Sequence, residues 1–76
     1  KEDVISLDAG ATYTIPAGEV LVIPEGADIV VEVWADSAWR QLYPAGQGGY
    51  VASNNDRVRI RNTGSSTETA YLIWFG

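Results

Sequence analysis

DRVRIRNTGSSTETAYLIWF, residues 56–75, holds two strand patterns of different kinds, and the difference decides the fold. In the first part Val58 and Ile60 point one way while Arg57, Arg59 and Arg61 point the other. Alternation of this sort marks a β-strand with one face on a core and the other in water. In the last part Ala70, Leu72 and Trp74 share one face and Tyr71, Ile73 and Phe75 the other, so both faces are apolar. A thin two-layer sandwich covers only the inner face of such a strand. Large apolar side chains left in water forfeit about 1.5–3 kcal/mol each relative to burial. One face, that of Tyr71, Ile73 and Phe75, is therefore expected to meet another chain. The intervening Asn62-Thr63-Gly64-Ser65-Ser66 reads as a tight turn joining the two strands into an antiparallel hairpin.

Outward from this stretch the same grammar repeats. Turn signals bound short segments rich in Val, Ile, Tyr, Thr and Trp, which predicts strands at 3–7, 11–15, 19–23, 28–34, 38–43, 49–53, 56–62 and 67–75. No window carries a 3.6-residue period, so helix is absent or reduced to a single turn. Strand 28–34 is a milder version of the last one, with Ile29, Val31 and Val33 against Val30, Glu32 and Trp34. One turn device recurs at Ile15-Pro16-Ala17-Gly18, Ile23-Pro24-Glu25-Gly26 and Tyr43-Pro44-Ala45-Gly46. Proline is read as setting the first corner and glycine as taking the left-handed exit. Asp8-Ala9-Gly10 and Asn54-Asn55-Asp56 are further bends, and Gly46-Gln47-Gly48-Gly49 reads as the most flexible point of a single domain. The expected fold class is all-β, a small antiparallel β-sandwich of jelly-roll type with about eight short strands across residues 1–76.

Composition narrows what such a domain does. The chain has 76 residues and no Cys, His or Met. A domain of this size buries only about 60% of its unfolded surface, and small domains add disulfides, metals or partner chains to compensate. Without cysteine there is no disulfide, and without histidine, cysteine or methionine a zinc or haem site is not expected, because carboxylates alone are poor ligands for soft metals. Self-association is the remaining staple. Ten acidic residues against five cations give a net charge of −5, which offers phosphate backbones no general attraction, so nucleic acid is not an expected partner. No apolar run reaches the length of a membrane span, and no stretch reads as a signal peptide. The chain opens on Lys1, which points to a processed product, a tagged chain or a domain cut from something larger. Enzymatic readings lack parts: Ser and Thr have no evident base, and Lys1 is the only lysine. Asp3, Asp8, Asp28 and Asp36 lack the spacing of a calcium loop, and no cofactor is expected.

Two surface features stand out. The row Arg57, Arg59 and Arg61 reads as a solvated face paired with Glu68 or Glu32, as a docking stripe for a carboxylate-rich neighbour, or as an oxyanion site. Trp34, Trp39, Trp74, Tyr13, Tyr43, Tyr50 and Tyr71 are a heavy aromatic load. They serve core or interface packing, or else Trp39 and Tyr50, with Arg40 and Gln41 beside the Gly48-Gly49 loop, form a shallow glycan contact.

Two stretches, Ala11-Thr12-Tyr13-Thr14-Ile15-Pro16-Ala17-Gly18 and the run from Asn54 to Ser66, resemble the small jelly-roll modules of bacteriophage virion proteins. Decoration proteins, head fibres and tail appendages are of this kind. The resemblance implies a trimeric or otherwise symmetric homo-oligomer at a virion surface, held against a capsid or appendage protein. On that expectation Trp34, Tyr71, Ile73 and Phe75 form the contact between subunits, and Arg57, Arg59 and Arg61 fix register against a neighbour's acids. The alternative is a carbohydrate-binding module, or a β-domain of a larger extracellular adhesive protein.

Overall fold

Period-two patterning is realised eight times in the chain. The computed structural model describes the backbone of residues 3–75 and the side chains of residues 3–73. The strands are β1 (Asp3–Leu7), β2 (Thr12–Thr14), β3 (Glu19–Ile23), β4 (Ile29–Ala35), β5 (Ala38–Gln41), β6 (Gly49–Ala52), β7 (Val58–Asn62) and β8 (Glu68–Phe75). All eight predicted strands are present, and no helix forms among the described residues. They make two antiparallel four-stranded sheets, ordered β1-β8-β3-β6 and β2-β7-β4-β5. This interleaving of two Greek keys is the jelly roll.

Only β4 and β5 are consecutive strands paired in one sheet; every other connection crosses between layers. The expected hairpin at Asn62–Ser66 is therefore corrected. Residue 62 ends β7 in one sheet and residue 68 begins β8 in the other. The reason lies in Asn62, which is 1% exposed and too deeply placed for a hairpin tip. Its Nδ2 donates to the carbonyls of Leu7 (2.9 Å) and Ser66 (2.7 Å), and its Oδ1 accepts from the Gly64 amide (2.9 Å). One side chain thus ties the crossover to both layers and leaves no buried polar group orphaned.

The one true hairpin turns at Asp36-Ser37, with φ of 52° and 60° at the two residues. Two successive left-handed residues make a type I′ turn, whose twist matches the flanking strands. Arg40 bonds back across it, Nε to the Ala35 carbonyl and Nη2 to the Asp36 carbonyl. The three Pro-x-Gly devices are turns as expected, with φ near +90° at Gly18, Gly26 and Gly46. Their proline sits one place earlier than predicted. The Glu19 amide donates to Pro16 O and the Ala27 amide to Pro24 O, so proline is the accepting first residue and not the corner.

The segment read as most flexible is closely fitted. Gly26 N donates to Gly46 O at 3.0 Å. A Cβ on Gly48, which has φ +72°, would stand 2.8 Å from both Cα and N of Glu25. Glycine is there because two backbones pass where no side chain fits.

Leu7, Ile15, Leu21, Ile23, Ile29, Val31, Ile60, Ala70 and Leu72 fill the space between the layers. Tyr13 packs against them and donates its hydroxyl to Glu19 Oε1 at 2.8 Å. The inward positions on β4 and β7, and on β8 as far as Leu72, match the faces read from sequence.

Candidate functional site

Because side chains alternate across each strand, every residue assigned to the core leaves its neighbours on an outer face. The registers then show which outward residues lie side by side. Across the β1-β8-β3-β6 sheet, Val4 is opposite Tyr71, Tyr71 opposite Val22, and Val22 opposite Tyr50. This row crosses all four strands and is open to water, with Val4 59%, Tyr71 39% and Tyr50 77% exposed. Ser6 and Thr69 form the adjacent row. None of these six residues carries charge.

The outer face of the β2-β7-β4-β5 sheet is of opposite character. Thr14 is opposite Arg59, Arg59 opposite Glu32, and Glu32 opposite Gln41, a polar row across all four strands. On one side of it Trp34 pairs with Trp39; on the other, Thr12, Arg61 and Val30 align. Glu32 is only 5% exposed. Its Oε1 accepts from Arg59 Nε at 2.7 Å, and its Oε2 accepts from Arg61 Nε at 3.1 Å, with Arg61 Nη2 in ion-pair contact at 3.1 Å. Burial on its own would raise the Glu32 pKa, but hydrogen bonds from Arg59 and Arg61, and then their charges, outweigh it and hold the carboxyl below its ordinary value. The Arg59 guanidinium also lies over the Trp39 ring, 4.3 Å from its centroid, and Trp39 meets Trp34 edge to face at 5.6 Å.

These contacts sort the residues singled out in the sequence. Arg59 and Arg61 are paired within the chain by Glu32, one of the partners weighed for a solvated face. Arg57 lies before β7 begins and outside the pair; its carbonyl accepts from the Trp34 amide at 2.8 Å. The three arginines are therefore not one free docking row. Trp34 belongs to the opposite sheet from Tyr71 and Ile73, so the expected interface set divides between the two faces. Trp39 and Tyr50 likewise lie on different sheets and form no common contact.

On β8 strict alternation breaks. Pairing passes from Leu72 opposite Leu21 to Trp74 opposite Val20, so Ile73 has no partner on β3 and forms a bulge there. Ile73 is half-buried, and the side chain of Phe75 lies outside the described residues. Val4 and Val22 were not singled out in the sequence. Their signal was outward position in register with Tyr71 and Tyr50, and register is invisible before strands are paired.

Fold and faces together define a jelly-roll domain with one outer face that is apolar and uncharged along its described rows and one that is ion-paired and aromatic. No known family profile matches the chain, and no curated protein matches it. No group of carboxylates placed to hold a metal occurs among the described residues.

Proposed function

We propose that this chain is a non-enzymatic structural module, a homo-oligomeric jelly roll of a virion surface that decorates a capsid or builds an appendage. Self-association runs through the outer face of the β1-β8-β3-β6 sheet. The observation that carries this reading is the row Val4, Tyr71, Val22 and Tyr50, apolar, exposed and continuous across the whole sheet. A second copy is the occupant that the charges favour. Copies with a net charge of −5 repel through most of their surfaces, and an uncharged face lets them approach without unpaired charges being buried. The resemblance of the Ala11–Gly18 and Asn54–Ser66 stretches to phage virion modules supports the location and a trimer as the expected assembly.

Sedimentation tests this reading. At micromolar concentration the wild type is expected well above the single-chain mass of 8.2 kDa, and Tyr71→Asp is expected to sediment as a folded monomer. Tyr71 is the residue of choice because its ring is already part-exposed, so the charge disturbs an interface and not the core. A wild type that stays monomeric up to about 100 μM, where even weak standard interfaces associate, removes the proposal.

A further inference from the structure

The second outer face has a charge of its own. Arg59, Arg61 and Glu32 sum to +1 on a chain whose net charge is −5, so this patch favours anions against the charge of the whole chain. The two arginines are not equivalent. Arg59 is committed twice, to Glu32 and to the Trp39 ring. Arg61 keeps 36% of its side chain open. Trp34, 38% exposed, is the open member of the indole pair. Exposed Thr12, Thr14 and Gln41 supply neutral donors and acceptors around them.

We propose that this face binds an acidic oligosaccharide, stacking one sugar ring on Trp34 and taking a carboxylate or sulfate of a further unit on Arg61. A sugar has the required combination of an apolar ring face, equatorial hydroxyls and, in acidic sugars, an oxyanion. Trp34 and the Val30 position opposite Arg61 are four residues apart on β4, roughly 13 Å along the strand. One pyranose cannot bridge that span, so the ligand is a chain of sugars. Glu32 acts by positioning: it holds Arg61 flat on the sheet and, at only 5% exposure, stays out of the ligand's reach. The inference does not rest on self-association through the other sheet.

The test is tryptophan fluorescence during titration with oligogalacturonate, a sulfated oligosaccharide, a neutral oligosaccharide and polyglutamate. The acidic sugars are expected to shift the emission, and comparing the first two identifies the preferred anion. The neutral sugar is expected to bind at least about tenfold more weakly, the worth of one charge-assisted contact. Arg61→Gln and Trp34→Ala are each expected to weaken binding by about tenfold or more, with unchanged circular dichroism. Tyr71→Asp, on the opposite sheet, is expected to bind as the wild type does, so failure of this proposal is separable from failure of self-association. Equal binding of neutral and acidic sugars, wild-type affinity in Arg61→Gln, or no response at millimolar sugar overturns the proposal. Equal binding of polyglutamate overturns it in favour of an acidic polypeptide.

Discussion

Glu32 is the residue on which the polar face turns. It is the only carboxylate among the described residues that joins two arginines, and removing it leaves two like charges on one sheet face. Breaking a fully buried pair costs about 3–5 kcal/mol, but both guanidiniums here are partly hydrated, so about 2 kcal/mol is expected for Glu32→Gln, a fall in Tm on the order of 10 °C. The pH dependence has a definite sign. The folded carboxyl titrates below its ordinary value of 4.5, so its stabilisation is complete above that pH and is lost as pH falls through the folded value. Thermal melts of wild type and Glu32→Gln should differ most at neutral pH, and the gap should begin to close as pH falls below 4.5 and vanish only below the folded value. A constant gap down to pH 2 would mean that the ion pairs are not its source.

Among the elements, the glycine-rich link before β6 shows how backbone packing overrides composition. Gly46-Gln47-Gly48-Gly49 has the composition of a flexible loop. Yet Gly48 lies against the Glu25 backbone with no room for a methyl group. Gly48→Ala combines a left-handed φ with a backbone collision that no side-chain rotation relieves, and about 2–3 kcal/mol of lost stability is expected. Denaturant titration checks this, and a loss under about 0.5 kcal/mol would show that the two turns separate readily. The bulge on β8 is the other element-scale device. It ends strict alternation at Ile73, in the strand whose apolar run is the longest in the chain.

At the scale of the molecule, the two outer faces respond oppositely to salt. Self-association joins uncharged faces of like-charged copies, so screening the repulsion strengthens it. Binding of an acidic sugar uses attraction to Arg61 and weakens under the same change. Raising ionic strength from about 10 mM to about 300 mM should increase the weight-average mass and lower the sugar affinity several-fold, read by sedimentation and fluorescence on one preparation. Salt-driven dissociation of the oligomer would instead place charged contacts at the subunit boundary.

What the sequence determined by itself was the local layer of this protein. Period-two alternation, Pro-x-Gly punctuation and the absence of helical periodicity specify eight strands and their turns, because these depend on neighbours along the chain. The turn at Asp36-Ser37 was the exception, since Asp suits a left-handed position but Ser is not the usual residue to follow it there. The alternation of Val58 and Ile60 with Arg59 and Arg61 also told which side chains face out. What only the tertiary structure decided was which outward residues meet. Sheet membership separated Trp34 from Tyr71 and Trp39 from Tyr50, sent Asn62 inward as a polar tie, and set Arg59 and Arg61 on either side of Glu32. The physical reason is that pairing in a jelly roll joins strands distant in sequence: β7 bonds to β2 and β4, never to its successor β8. Chemistry shared across such strands exists only once the register is set.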